Sequence, residues 1–283
     1  MKDAKWIVIL LFVTLVWGAT FPLVKDTLKV FDAFAMMGMR FLIAAASVWL
    51  YLKFAGGKLE REEWRHGAVL GFLLFVGYGM QTYGLNYTEA TKSAFITGLY
   101  VIGVPVLSAL LLSRRSERKI WIAAALAAIG LWLLSGAGSN WNLGDGVTLI
   151  TAVAFSLHII YTGMIAKRCG PVGLSVAQLL VCGVLSLVPM VALGETPAEF
   201  PLGALGAVVF LGVVANGFAM WAQSAAQRVM DASRVALVFI GEPVFAAVIS
   251  VMLFGEILRE MQIVGAGLIL AGMVVAEWEK VKL

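Results

Sequence analysis

The sequence predicts an all-α polytopic membrane protein with ten transmembrane helices arranged as two inverted five-helix repeats. The first observation behind this is composition. Of 283 residues, 61% are hydrophobic and 13% charged, and the mean hydropathy is +0.94. That leaves too few polar side chains to cover a soluble globule. The second is an internal repeat at a spacing of 138 residues, without gaps. Between Ala94 and Ala109 seven of sixteen positions match their partners: Ala94/Ala232, Leu99/Leu237, Ile102/Ile240, Gly103/Gly241, Pro105/Pro243, Val106/Val244 and Ala109/Ala247. Softer matches keep the register, as in Trp17/Phe155, Arg40/Gln178 and Tyr83/Trp221. The repeats are read as residues 1–138 and 139–283. Each holds five spans, and an odd number places the second copy upside down relative to the first.

The spans follow from the bilayer's demand for about 20 apolar residues per helix, and the apolar residues come in blocks rather than in the alternation of a membrane strand. The first, residues 6–24, lies between Lys5 and Lys25; it is too long for a signal-peptide core and lacks a convincing cleavage site. The second is 33–54, and the third, 66–87, follows Lys58, Arg61 and Arg65. The fourth, 93–112, lies between Lys92 and Arg114. The fifth, 120–136, follows Lys119, and the sixth, 143–166, stops at Lys167 and Arg168. The seventh is 174–193, the eighth, 202–225, ends before Arg228, the ninth, 235–253, follows Arg234, and the tenth, 262–278, precedes Lys280. Spans and short loops use the whole length, which leaves no room for an enzyme module.

The formal net charge of +4 would suggest a nucleic-acid partner in a soluble protein, but the distribution says otherwise. With the N-terminus in the cytoplasm, that side holds Lys2, Lys5, Lys53, Lys58, Arg61, Arg65, Arg114, Arg115, Arg118, Lys119, Lys167, Arg168, Arg228, Arg234, Lys280 and Lys282. The other side holds Lys25, Lys29, Lys92 and Arg259, and only Arg40 lies within a span. Sixteen against four is the positive-inside pattern; it predicts a multi-pass protein of the cell membrane with both termini cytoplasmic. The basic residues orient helices, so no nucleic acid is expected. Cys169 lies beside a loop and Cys182 inside a helix, with no metal-ligand spacing around them, so neither a metal nor any other cofactor is expected. The thirty glycines let helices approach closely and carry no phosphate-loop order.

Polar side chains within spans are costly against lipid and should face the bundle interior. Arg40, two turns into the second helix, is either an anion anchor or a structural group that pairs or snorkels. Glu242, before Pro243 in the ninth helix, stands where the other copy has Val104. A lone acid among apolar helices is either a proton carrier or a hydrogen-bonding group that holds helices together. Pro105 and Pro243 predict bends at related places, as hinges or as static kinks, while Pro189 has no partner in the other copy. Tyr78 and Gln81 share a face of the third helix, and Asn216 and Gln223 a face of the eighth. His158 and Thr162 in the sixth helix, and Thr14 and Trp17 in the first, complete a set that points to one central cavity. Tyr100 and Trp221 line it or sit in the interfacial belt or core.

These patterns resemble the ten-helix EamA branch of the drug/metabolite transporter superfamily along essentially the whole chain. The matching segments are Val16 to Pro22 (VWGATFP), Met39-Arg40-Phe41, and Gly84-Leu85-Asn86-Tyr87-Thr88 with Ala90 and Ala94. The second copy supplies Gly241 to Ala247 (GEPVFAA), Phe254-Gly255-Glu256 and Gln262 to Ile269 (QIVGAGLI). The resemblance implies framework roles for Glu242, Pro243, Gly255 and Glu256, a structural or gating role for Arg40, and a substrate cavity between the repeats. It implies a transporter that moves a small organic metabolite by alternating access, with export of an amino acid or related compound as first choice and no chemistry on the substrate. The rivals are an intramembrane lipid-acting enzyme using His158 and Glu242, and a non-carrier channel subunit. The expected partners are the substrate and the bilayer; a homodimer is compatible with the chain but not required by it.

Overall fold

The fold is that of a computed structural model describing residues 3–88, 90–113, 116–135, 141–195, 201–254 and 257–277. Gly255, Glu256, Arg114, Arg115, Lys2, Lys280, Lys282, the 138/139 boundary and the ends of the expected fifth and tenth spans lie outside these residues. Among the described residues the helical pieces assemble into ten rods. We number them α1 (Ala4–Thr27), α2 (Ala33–Phe54), α3 (Arg61–Gly84), α4 (Ala90–Gly98 and Tyr100–Leu112), α5 (Arg118–Ser135), α6 (Leu143–Ile165), α7 (Pro171–Ala192), α8 (Leu202–Phe210, Leu211–Phe218 and Ala219–Ala226), α9 (Ala232–Phe239 and Glu242–Phe254) and α10 (Glu260–Glu277).

Eight of the described helices are long and apolar enough to cross a membrane, and α1 contributes the shorter apolar stretch Ala4–Thr20. The remaining rod, α3, has the length at 24 residues. Its polar Tyr78, Gln81 and Thr82 lower its hydropathy because they face the protein interior, where a span need not be apolar.

Pro105 and Pro243 predict bends, and the structure interrupts both helices. In α4 the interruption is at Leu99, six residues before Pro105, where Ile102 N and Gly103 N both donate to the Leu99 carbonyl at 3.0 Å. In α9 it is at Ile240 and Gly241, so Pro243 falls in the first turn of the second half, where a missing N–H costs little. The α8 rod is continuous but carries a π-helical stretch from Leu211 to Phe218.

The larger contacts run between repeats: α5 with α10, α2 with α7 and the middle of α8, α3 with α6 and α7, α1 with α9, and α4 with α6. Helix starts are satisfied across the same boundary. Glu195, just past α7, accepts from Phe34 N and Ala35 N of α2 at 2.8 and 3.0 Å. Glu63 of α3 accepts from Gly170 N, which caps α7, at 2.9 Å. A carboxylate at a helix N-terminus answers free N–H groups and the helix dipole together. The principal contacts of each five-helix repeat are thus made with the other.

Candidate functional site

Four rods approach along their middles: α1, α4, α6 and α9. The close approach of α1 to α9 depends on Gly18, where a Cβ would lie 2.8 Å from Ala246 N and 2.9 Å from the Glu242 carbonyl. A side chain there would push α1 away from the point where α9 restarts. The result, completed by α2, α3 and α8, is a cavity whose wall includes Trp17, Thr20, Arg40, Tyr78, Gln81, Thr97, Tyr100, Phe155, His158, Gln223 and Glu242. It sits where the two discontinuous helices face each other, the position at which inverted-repeat carriers bind their cargo.

A basic and an acidic side chain share this space without pairing with each other. Arg40 is 3% exposed. Its guanidinium lies 5.0 Å from the centre of the Tyr78 ring and 5.2 Å from that of Phe41. Thr82 Oγ1 accepts from Nη2 at a long 3.5 Å, and Nε has no hydrogen-bond partner. Arg40 makes no ion pair among the described residues. Glu242, at the first position of the second half of α9, lies within electrostatic reach of Tyr78 and Tyr100 and makes no hydrogen bond or ion pair with a described residue. Tyr78 lies near both, held edge-on by Phe41 at 5.1 Å and Phe155 at 4.9 Å between ring centres.

The remaining polar groups tie the wall together. Gln81 donates to Thr97 Oγ1 at 3.1 Å, joining α3 to α4. The Trp17 indole N–H donates to the Ala215 carbonyl in the π-helical stretch at 2.7 Å, and its ring lies 4.8 Å from Phe239. Toward the end of the bundle where α1 begins, His158 Nε2 meets Gln178 Oε1 at 2.8 Å, and Gln223 Nε2 faces His158 Nδ1 at 3.4 Å. Gln223 also donates to Gln227, which donates in turn to the Ile159 carbonyl. All four side chains are buried and form a polar floor.

Of the residues the sequence singles out, Trp17, Arg40, Tyr78, Gln81, Tyr100, His158, Gln223 and Glu242 lie on this wall. Asn216 and Trp221 do not. Asn216 is buried within the π-helical stretch with its Nδ2 unpartnered, and Trp221 packs on Phe218 and on Trp6 near the start of α1. Thr14 and Thr162 also fall away, because each hydroxyl donates to its own preceding turn, at Leu10 and His158. Pro105 and Pro243 are not wall residues. Thr20, Thr97 and Phe155 belong to the wall and carry weak sequence signals: Thr20 lies three residues after Trp17, and Phe155 is the repeat partner of Trp17.

A family model described as the EamA-like transporter family matches the chain twice, over residues 4–136 and 142–277. An uncharacterized transporter of Archaeoglobus fulgidus is 32% identical over 94% of this chain and 83% of its own. The uncharacterized transporter YyaM of Bacillus subtilis is 26% identical over 98% of this chain and 94% of its own. A solved crystal structure superposes with a TM-score of 0.81 at 19% identity, covering 99% of both chains, a likeness of fold. With ten rods, a repeated domain and a cavity where the repeats meet, the chain belongs to the EamA-like transporter family and is a multi-pass membrane transporter.

Proposed function

We propose that this protein carries a small zwitterionic metabolite, an amino acid or a close relative, across the cell membrane by alternating access, in the export direction and with both termini in the cytoplasm. The observation that carries this reading is an arginine and a glutamate on one cavity wall, neither of them in an ion pair with a described residue. Arg40, with no anion paired to it among the described residues, suits a carboxylate, and Glu242, with no cation paired to it among them, suits an ammonium group. The rings of Trp17, Tyr78, Tyr100 and Phe155 supply apolar wall for a side chain between the two ends.

A carrier also fits better than a lipid-acting enzyme. His158 and Glu242 share the wall, but Gln178 and Gln223 engage both imidazole nitrogens, leaving none to relay a proton to a substrate. The test is exchange in liposomes loaded with amino acids against labelled external substrate, with and without a pH gradient. Saturable exchange of one class names the cargo. Glu242→Gln should abolish exchange of ammonium-bearing cargo without lowering the melting temperature, since its carboxyl has no hydrogen-bond or ion-pair partner to lose among the described residues. Absence of exchange with every amino acid removes the zwitterion reading, and unsaturable leak points instead to a channel.

A further inference from the structure

Two partly buried ion pairs sit at opposite ends of the four cavity-forming rods, away from the wall, and each joins one repeat to the other. Where α1 begins, Arg234, the third residue of α9, donates Nε to Glu277 Oε1 at 2.7 Å and Nη2 to the other Glu277 oxygen, while Nη1 reaches Asp3 Oδ2 at 3.2 Å. One guanidinium, 8% exposed, thereby clasps the start of α9 to the start of α1 and the end of α10. Where α6 begins, Lys92, the third residue of α4, pairs with Asp145, which is fully buried and also accepts from Thr88 Oγ1 at 2.6 Å and Asn142 N at 2.8 Å.

The two arrangements are the same contact made twice. In each, a base in the first turn of one repeat's fourth helix holds an acid at the start of the other repeat's first helix. The 138-residue register sets Lys92 opposite Met230 and Asp145 opposite Ile7, each four residues, or one helical turn, from Arg234 and Asp3. Inversion of the repeats puts one pair at each face of the membrane. The paired helices, α1 with α9 and α4 with α6, are those whose middles carry Trp17, Glu242, Tyr100 and His158. A pair with one partner buried, as Asp145 and Arg234 are, leaves that group to be rehydrated once parted, so it behaves as a two-position latch rather than as a spring.

We propose that these pairs are the two gate latches of the transport cycle: the Arg234 clasp shuts the end that carries the termini, and the Lys92–Asp145 pair shuts the opposite end. Each opening breaks one latch and keeps the other; both are made in this structure. The proposal rests on the alternating-access reading above, and the experiment separates the two.

Cys169 and Cys182 are both buried, so a cysteine placed at Met220, on the cavity wall, can be followed with a membrane-impermeant maleimide. Labelling of Met220→Cys is measured from each side of full-length protein in liposomes, with an N-terminal tag reporting the side. Arg234→Gln should speed labelling from the terminus side by about tenfold, and Lys92→Gln should do the same only from the opposite side. Exchanging the charges, Arg234→Glu with Glu277→Arg and Asp3→Asn, should bring the rate back toward the parent's. If Arg234→Gln does not fold, Glu277→Gln takes its place with the same expected direction. Labelling that rises on the same side in both variants, or that stays at the parent's two-sided rates, overturns the latches and leaves the carrier cycle standing. A parent labelled from one side only overturns the cycle and the latches with it.

Discussion

Replacing Arg40 by methionine should separate folding from binding, because the charge it removes is paired with no anion among the described residues. Placing a guanidinium in the middle of a membrane helix costs at least about 2.5–3.5 kcal/mol. Against this stand the Tyr78 and Phe41 rings at 5.0 and 5.2 Å, each returning about 0.5–2 kcal/mol. The 3.5 Å contact with Thr82 adds little, and Nε adds nothing. These contributions nearly cancel. Arg40→Met, which keeps length and packing, should therefore move the unfolding free energy by less than about 2 kcal/mol in either direction. Breaking a true buried pair would cost about 3–5 kcal/mol. Binding should respond differently: a hydrogen bond to a charged group is worth about 1.5–3 kcal/mol. At about 1.4 kcal/mol per tenfold, cargo bearing a carboxylate should bind roughly ten- to a hundredfold more weakly. Melting followed by tryptophan fluorescence and half-saturation of liposome exchange measure the two effects. A variant that melts like a broken pair while its affinity is unchanged would refute the reasoning and make Arg40 a structural residue.

The α5–α10 seam should be intolerant of side chains at one glycine and indifferent at another on the same helix. A Cβ at Gly265 would lie 2.5 Å from both the Gly130 carbonyl and Leu134 N, whereas one at Gly267 meets nothing within 4 Å. Gly265→Val should thus lower stability by about 1–3 kcal/mol, and Gly267→Val should leave the melting temperature unchanged; equal effects would place the seam elsewhere. Trp17→Phe keeps a ring against Phe239 and removes the donor to Ala215, so it should cost about 1 kcal/mol and raise amide hydrogen exchange across residues 211–218. Cys169, in the connection before α7, has its thiol pushed up by burial, with Glu63, Glu62 and Glu60 adding to the effect and Arg168 opposing it. Its thiolate is therefore scarce at neutral pH, and alkylation followed by intact-mass measurement should be slow at pH 7 and gain speed only above the ordinary thiol range; complete reaction at pH 7 would contradict this.

Apolar blocks and the 138-residue register determined the number of helices and their order as two repeats, and polar residues within the spans pointed to the central cavity, from sequence alone. They could do so because lipid punishes any polar group that does not turn inward. Arg40, Tyr78, Gln81, His158 and Glu242 were legible for the same reason, being polar residues inside spans. Face arithmetic failed in α8. Asn216 and Gln223 are seven residues apart and share a face of a regular α-helix, but i→i+5 bonding from Leu211 to Phe218 changes the rotation per residue, so Gln223 lines the wall while Asn216 is turned away. The hydroxyls of Thr14 and Thr162 were equally ambiguous, because a threonine in a helix can satisfy itself on its own preceding turn.

Only the tertiary structure decided which charges are paired. Arg234 and Arg40 are both buried arginines, yet one finds Asp3 and Glu277 at positions far away in the chain and the other finds two aromatic rings. Nothing local to either residue distinguishes them. Sequence periodicity states which face of a helix a side chain occupies; which acids stand opposite that face depends on how the two inverted repeats pack against each other.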